Sequence, residues 1–323
     1  MNNFKKIGLT ALAGSLIATS AFAGSMSVGG SAGISYGNSS NYDRGNTWSS
    51  GDSLTFTGSG ELDNGMSVVT YQEIDGGTLD DRYFSVEMDG LGKMTFHAHG
   101  GGTAMSAVDD TTPTAYGESW DLIGHGATST SKSAGQADKE GAIGGFATAN
   151  SFFYDAPEMV DGLDINVSYV PSGTARPDGS ISVALAYTGV EGLTVGYAQD
   201  DNGLSGTDSL ETETMYAKYA FGSFTVGVQE SEAENDGATT SDDEFSAMGI
   251  TYQVSDDLTI GYTSSERDFG DKAQDQEASN LSISYTTGGV TIAAAMVEMN
   301  NVGGSTLADD DTDGFAIDVS FAF

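Results

Sequence analysis

Two histidines, His97 and His99, stand two positions apart in a short segment of alternating polar and apolar residues. If this segment is a β-strand, both imidazoles point to the same face and are expected to enter the same space. Two imidazoles together could bind a metal ion, although the spacing places no third histidine or carboxylate beside them. The alternative is a wet strand face on which Lys93 and the two histidines are polar side chains without a ligand.

A second candidate metal site lies near the C-terminus, where the run from Asp309 to Gly314 reads D-D-D-T-D-G. This run matches the first half of a calcium-binding loop, with Asp309, Asp311 and Asp313 as alternate ligands and a glycine at the sharp turn. The twelfth position is Ser320 instead of glutamate, so the run is not an EF-hand. Bound Ca²⁺ and a solvated acidic loop both remain open, and nothing else in the sequence requires a cofactor.

The chain lacks the residue arrangements expected of an enzyme. Serines are abundant, but no G-x-S-x-G elbow or comparable nucleophile motif is present in the sequence. The formal net charge is −36, with 47 acidic against 11 basic residues, so nucleic acid is not an expected partner. Cysteine is absent, which excludes a disulfide framework. We therefore predict a non-enzymatic protein whose closure depends on backbone pairing.

The first 23 residues have the organisation of a cleaved export signal. Lys5 and Lys6 form a basic start, residues 7–18 an apolar stretch, and Ala21-Phe22-Ala23 a cleavage site. An uncleaved anchor helix is the alternative, but the apolar stretch is shorter than the ~20 residues a spanning helix needs. We predict Sec-type export and one mature domain, residues 24–323.

From Gly24 onward, apolar and polar residues alternate in short segments. In the last segment Phe315, Ile317 and Val319 share one face, whereas Asp318 belongs to the other. Such alternation predicts strands with one dry face and one wet face. We predict sixteen strands, at 25–37, 53–62, 66–75, 82–89, 93–100, 149–157, 162–171, 180–188, 192–200, 212–221, 224–231, 244–254, 257–266, 277–286, 289–299 and 314–323.

The connections between these strands alternate between tight turns and long acidic loops, which gives the molecule two different ends. Ser, Thr, Gly, Asp and Glu on the wet faces suit a water-filled lumen, and the apolar faces suit lipid. We predict an all-β transmembrane antiparallel β-barrel with short periplasmic turns and long extracellular loops; fourteen or eighteen strands remain open. The alternative is a water-soluble exported surface protein or adhesin whose acidic loops bind calcium or a partner.

With its export signal, its hairpins, the motif Asn150-Ser151-x-x-Tyr154-x-x-Pro157 before Gly162, and the terminal Phe323, the chain resembles Gram-negative general-diffusion porins of the alphaproteobacterial type. The resemblance implies passive diffusion of small hydrophilic solutes and ions across the outer membrane of a Gram-negative bacterium. It also implies a homotrimer of sixteen-stranded barrels in outer-membrane lipid, with Phe323 in the address read by the insertion machinery. A third long loop folded into the pore is a further implication.

The loop between the fifth and sixth predicted strands, residues 100–148, is the longest at 49 residues. Trp120 and Ile143 are among its apolar residues, so part of it is expected to pack against something. A constriction loop inside the lumen and an extracellular flap or linker are both open. The resemblance implies that loop acids face a basic cluster on the wall, and the loop acids are Asp109, Asp110, Glu118 and Asp121.

The wall residues that strand alternation places on the inner face include four carboxylates, and no ladder of arginines accompanies them. An acid-rich narrow path repels anions, so we expect a preference for cations. Tyr83 and Tyr216 are the aromatic residues expected to face inward, each isolated, which favours general diffusion over the alternative of a solute-specific channel. The predicted wall residues are Lys93, His97, His99, Glu61, Glu87, Asp164, Lys218 and Asp318.

Small outward-facing residues mark the surface where barrels are expected to meet. Gly30, Ala32, Gly58 and Gly60 occupy positions on the first two strands at which other strands carry large apolar side chains. Small side chains allow close approach between membrane-embedded elements. We therefore predict that the first five strands form the contact between copies of the chain.

Overall fold

The structure, a computed structural model, describes residues 24–39, 47–108, 110–120, 143, 149–173, 178–204, 209–235, 242–306 and 311–323. Within these residues sixteen strands form one closed barrel, as predicted. The predicted export signal, residues 1–23, lies outside them. The strands are β1 (Ser25–Ser39), β2 (Thr47–Glu61), β3 (Ser67–Asp75), β4 (Thr78–Met88), β5 (Gly92–His99), β6 (Ser151–Asp155), β7 (Leu163–Val170), β8 (Ser180–Val190), β9 (Leu193–Asp201), β10 (Leu210–Phe221), β11 (Phe224–Asn235), β12 (Asp243–Ser255), β13 (Leu258–Asp268), β14 (Gln276–Thr287), β15 (Val290–Asn300) and β16 (Thr312–Ala322).

Every strand pairs antiparallel with its neighbours in the chain, and β1 closes the barrel against β16. Beyond the last paired residues, Gly30 and Phe323 exchange two backbone hydrogen bonds, with N···O distances of 2.9 and 3.0 Å. Closure removes the free sheet edge, whose unpaired backbone groups would be strongly destabilising in lipid. The C-terminal residue therefore takes part directly in closing the barrel.

The apolar strand faces point outward, which confirms the predicted orientation. On β16, the side chains of Phe315, Ile317 and Phe321 are 39%, 41% and 45% exposed, whereas Ala316 between them is 2% exposed. The same outward set continues around the barrel, as with Phe84 on β4 and Met248 on β12. A water-soluble β-protein would bury these side chains, so the arrangement is that of a transmembrane barrel.

The two ends of the barrel differ, because one carries tight turns and the other long connections. The turn between β2 and β3 uses the predicted Asn64-Gly65 pair: Gly65 has a φ of 84°, and the Met66 N–H donates to the Asn64 side chain at 3.2 Å. A positive φ suits glycine, which has no Cβ to clash.

Among the described residues, no helix is long and apolar enough to cross a membrane.

The largest boundary error in the prediction is at β2, which begins at Thr47 instead of residue 53. Its first half contains serine, glycine and aspartate, which are typical of turns. Pairing with β1 nevertheless extends the strand, with the Ser35 and Ser49 hydroxyls 2.5 Å apart and the Tyr36 and Trp48 rings 4.8 Å apart. Cross-strand contacts therefore override the local turn tendency here.

Candidate functional site: the lumen and its inner loop

The connection between β5 and β6 turns into the barrel immediately after β5. A short 3-10 helix, Ala104–Ala107, lies against the inner faces of β7, β8 and β9. The Ala104 N–H donates to the Ser168 hydroxyl at 3.0 Å, and the Met105 N–H donates to the Ser182 hydroxyl at 2.9 Å. These hydroxyls satisfy the first N–H groups of the helix, which have no partner within it.

A buried carboxylate fixes the residue that precedes this helix. The Thr103 hydroxyl donates to the Asp200 carboxylate on β9 at 2.6 Å, and Asp200 is 0% exposed. The backbone N–H of Asp201 donates to the other oxygen of the same carboxylate at 2.9 Å. A buried carboxyl group that lost such a donor would keep an unsatisfied polar atom, which is costly, so this contact anchors the loop to the wall.

The next stretch of the loop, residues 110–120, continues across the inner faces of the later strands. Thr111 N–H donates to the Gln229 side chain on β11 at 3.1 Å. Asn280 on β14 donates to the Gly117 carbonyl at 2.8 Å, and the Ser119 and Ser265 hydroxyls lie 2.9 Å apart. The loop is therefore attached to the wall at several separated points along its length. We call residues 100–108 and 110–120 the inner loop.

Three wall glycines make room for the inner loop. Gly227 on β11 and Gly249 on β12 are direct cross-strand partners, and both lie beneath Pro113. A Cβ at Gly227 would come within 2.5 Å of the Pro113 ring, and one at Gly261 on β13 within 2.7 Å of the Ala115 nitrogen. These distances exclude side chains, so the glycines form the groove in which the loop lies. These glycines were not among the predicted site residues, although glycine on the inner face of three successive strands is visible in the pattern.

An apolar cluster inside the barrel completes the attachment. Trp120 of the inner loop is 5% exposed, and its ring packs edge-on against Phe245 of β12, with ring centroids 5.0 Å apart. Ile143 and inward alanines such as Ala247 and Ala295 belong to the same cluster. Burial of these apolar surfaces stabilises the loop inside the lumen. The prediction of a loop folded into the lumen is confirmed for the described loop residues, 100–108, 110–120 and 143.

Two of the four predicted loop acids fall within the described residues. Asp110 is exposed and Glu118 is partly buried, both on the part of the loop that crosses the lumen. Asp109 and Asp121 lie outside the described residues.

A row of charged side chains crosses β2 to β6 at the end of the barrel with the tight turns. Glu61 and Glu87 both pair in register with Ser67 of β3, and Glu87 also pairs with Lys93 of β5. The Lys93 ammonium lies 2.8 Å from the Asp155 carboxylate on β6. Glu61, Glu87 and Lys93 are therefore brought together, and Asp155 is a partner that sequence analysis missed.

The other predicted wall residues lie further around the lumen. Asp164 is on β7, and Lys218 on β10 pairs in register with Gly227 in the loop groove. Asp318 on β16 pairs with Ser35 and Ala293.

Asp318 approaches the inner loop at Tyr116. Burial and then the nearby Asp318 carboxylate raise the pKa of Tyr116 to about 12. A carboxylate opposes formation of a second negative charge beside it. Asp318 is therefore near enough to Tyr116 to act on it electrostatically, while the part that Asp164, Lys218 and Asp318 play in permeation stays a prediction.

The expectation that His97 and His99 enter the same space is wrong. His97 pairs with Tyr83 on β4, but a register shift follows, and His99 pairs with Arg82, whose side chain lies on the opposite face from Tyr83. The extra residue of such a bulge reverses the facing of the strand beyond it. His97 faces the lumen 3.8 Å from Asp81, and His99 Nδ1 lies 2.8 Å from the Asp80 carbonyl oxygen.

Tyr83 is not isolated either, contrary to the expectation from the sequence. Its ring stacks on Tyr71 of β3 with centroids 4.8 Å apart, and the His97 ring lies 5.5 Å away on its other side. Phe153 of β6 extends the set, 6.5 Å from His97. Tyr216 packs separately, against the apolar cluster around Met105 under the inner loop. The irregular alternation of β3 concealed the inward position of Tyr71.

The candidate calcium ligands lie at the start of β16. Asp309 is outside the described residues, Asp311 accepts a hydrogen bond from the Asn301 N–H at 2.9 Å, and Asp313 is exposed on the outer face of the strand. In the part of the chain that the structure describes, no three His, Cys, Asp or Glu side chains are close enough to hold a metal ion. Calcium binding stays a prediction.

Two further charged residues of the lumen were missed. Glu73 on β3 accepts hydrogen bonds from Ser53 and, at 2.9 Å, from the Tyr71 hydroxyl. Arg267 lies near the end of β13, and its guanidinium is inside the barrel, 3.0 Å from the Asp243 carboxylate. Both residues could have been found from their inward positions in the alternating pattern of their strands.

The whole arrangement, a closed barrel with a polar lumen and an internal loop, can be compared with known proteins. The family model for Gram-negative porins matches residues 8–305. The chain belongs to the Gram-negative porin family. It is accordingly a passive diffusion channel of the outer membrane. No curated protein sequence matches this porin.

Solved structures share the fold of this porin at low sequence identity. OmpT of Vibrio cholerae has a TM-score of 0.69 and 14% identity, over 94% of this chain and 99% of that chain. The anion-selective porin from Comamonas acidovorans has a TM-score of 0.66 and 14% identity, over 93% and 100%. Salmonella typhi OmpF in complex with daunomycin has a TM-score of 0.66 and 14% identity, over 92% and 97%. At such identities the likeness concerns the fold.

Proposed function

We propose that this porin conducts small hydrophilic solutes and ions with a preference for cations. The observation that supports the proposal is the charge of the described lumen wall, where carboxylates outnumber basic groups. Lys93 and Arg267 each lie within about 3 Å of a carboxylate, which offsets their positive charge. The inward carboxylates include Glu61, Glu73, Asp81, Glu87, Asp155, Asp164, Asp200, Asp243 and Asp318, whereas the inward Lys and Arg side chains of the described strands are Lys93, Lys218 and Arg267.

The sign of selectivity is a property of these side chains and not of the fold. The structural neighbour from Comamonas acidovorans is anion-selective, although its barrel is similar. A negative lumen concentrates cations and repels anions along a narrow path. The reversal potential of a planar bilayer under a KCl gradient tests the proposal. A sign corresponding to K⁺ permeation supports it, and a sign corresponding to Cl⁻ permeation refutes it.

We further propose that the working channel is a homotrimer embedded in outer-membrane lipid, with β1 to β5 at the contact. One structural neighbour, OmpT of Vibrio cholerae folded in vitro, is in a trimer form. Gly58 supports the contact because it is a small outward residue. Gly30 also has a local reason to be small, since a Cβ added at this position would lie 3.1 Å from the Phe323 ring. Cysteine crosslinking tests this: bonds between copies only through β8 to β12 would refute it.

Export by a Sec-type signal, residues 1–23, and insertion directed by the C-terminal strand complete the proposal. The Phe323 side chain is 71% exposed on the outside of the barrel, although its backbone is paired with Gly30. Its ring is therefore accessible to an assembly factor in a way that a buried ring is not. Substituting Phe323→Ser is expected to lower the amount of barrel in the outer membrane while the refolded protein still conducts in vitro.

A further inference from the structure

The four rings of Tyr71, Tyr83, His97 and Phe153 form a continuous aromatic strip on the lumen wall of β3 to β6. Neighbouring centroids are 4.8, 5.5 and 6.5 Å apart. Passive diffusion of ions needs water and charge but no row of aromatic rings. The strip is therefore unexplained by the channel function alone, and its chemistry suits a solute with a flat apolar face.

A cavity of about 520 Å³ opens against the aromatic strip. Its volume is within the range of about 300–1,000 Å³ of small-molecule sites. The inner loop closes one side of it, so a solute passing here is held between loop and wall. The lining that matters for recognition consists of Tyr83, His97 and Phe153 from the strip, Lys93 and Asp155 from the charged row, and Ser106 from the loop.

The charges at this cavity favour a neutral solute. Lys93 and Asp155 form an ion pair 2.8 Å long, and their side chains are still 46% and 34% exposed. A charged solute would have to compete with this pair for one of its members. A hydroxyl group both donates and accepts, so vicinal hydroxyls can bind the carboxylate and the ammonium together without separating them.

The aromatic strip and the ion pair together select for a ring. A cyclic polyol presents C–H groups on a face and hydroxyl groups at its edge, which matches aromatic rings beside a charged pair. An acyclic polyol carries the same hydroxyl groups without a flat face, and it loses more conformational freedom when bound. We propose that the aromatic strip and the Lys93–Asp155 pair form a subsite for cyclic polyhydroxylated solutes of monosaccharide to disaccharide size, a proposal that rests on the channel function above. The subsite binds weakly, because a permeating solute must also leave.

Open-channel current in a planar bilayer tests the subsite with glucose and its acyclic counterpart sorbitol. The expected result is a saturable fall in current with glucose, whereas sorbitol lowers the current only as viscosity requires. Tyr83→Leu is expected to weaken the apparent affinity for glucose by about threefold to tenfold, as loss of one aromatic contact does. Lys93→Gln is a second variant that weakens glucose binding if Tyr83→Leu does not fold. Tyr262→Leu, on the outer face of β13, is the matched control and leaves glucose binding unchanged.

The outcomes separate the subsite from the channel function. A current that falls with viscosity alone for both solutes, or an equal block by glucose and sorbitol, overturns the subsite and leaves the channel intact. Block by tetraethylammonium without block by glucose also overturns it, in favour of a site for organic cations. If the protein conducts no current, the channel function fails. Saturation-transfer NMR of glucose with the detergent-solubilised protein then decides on the subsite, and absence of transfer refutes it.

Discussion

Pro113 of the inner loop lies directly over Gly249 of β12, and a Cβ at Gly249 would meet the Pro113 carbonyl oxygen. The position of the loop thus depends on a residue 136 positions away in the chain. Because the loop lies in the lumen, the groove formed by Gly227, Gly249 and Gly261 also determines the shape of the passage.

Filling the groove should displace the loop. Gly249→Val is expected to destabilise the protein by about 1–3 kcal/mol, as overpacking does, and to change single-channel conductance. Gly51→Val is the matched control, because a Cβ at that β2 glycine meets no atom within 4 Å. Thermal unfolding in detergent and single-channel recording measure both effects. Identical conductance in the two variants would contradict the position assigned to the loop.

Removing the hydroxyl that anchors the loop should loosen it. Thr103→Val leaves the buried Asp200 carboxylate without this donor, which is expected to reduce stability by about 1–3 kcal/mol and to increase open-channel current noise. Thr103→Ser keeps the hydroxyl and is expected to behave like the unaltered protein. If the Thr103→Val and Thr103→Ser variants show the same current noise and the same melting temperature, the Thr103–Asp200 contact does not anchor the loop.

Neutralising wall carboxylates should weaken the preference for cations. Asp318→Asn and Asp164→Asn are expected to move the reversal potential toward zero, whereas Lys218→Gln is expected to move it further in the direction of cation permeation. The control is Asp313→Asn, which removes an equal charge from the outer face of the same strand as Asp318. Equal shifts from Asp313→Asn and Asp318→Asn would indicate that the lumen charges do not set selectivity.

Calcium should stabilise the barrel if the acidic run before β16 binds it. We expect millimolar Ca²⁺ to raise the melting temperature in detergent, and Asp311→Asn to reduce that rise, since carboxylates are the ligands that Ca²⁺ prefers. Mg²⁺ at the same concentration controls for general screening of the negative charge. A melting temperature independent of Ca²⁺ would leave only a solvated acidic loop.

Strand alternation carried most of the fold prediction, because a residue in a barrel wall has only two environments. The strand with Phe315 and Ile317 was therefore placed correctly from its own residues. The first half of β2 was missed because its extension depends on pairing with β1. The bulge that turns His99 away from His97 was invisible for the same reason, since it is a property of two strands in register.

The candidate site was predicted less completely, because the inner loop is held by contacts between distant residues. Trp120 indicated that the loop packs somewhere, but its partner Phe245 is 125 positions later in the chain. The anchor at Asp200 has no local signature, and the sequence shows an inward glycine at 249 but not its contact with Pro113. Alternation along a strand predicts which face of the sheet each side chain is on. Which residues it contacts is seen only in the assembled barrel.

The central claim is that apolar side chains face lipid while polar ones enclose water, and adjacent residues on β16 test it most directly. Because the chain has no cysteine, single cysteines at 317 and 318 can be labelled separately in reconstituted membranes. With a membrane-impermeant, water-soluble thiol reagent, Asp318→Cys is predicted to react and to lose conductance, whereas Ile317→Cys is predicted to stay unmodified. Rapid labelling of Ile317→Cys with protection of Asp318→Cys would contradict the account.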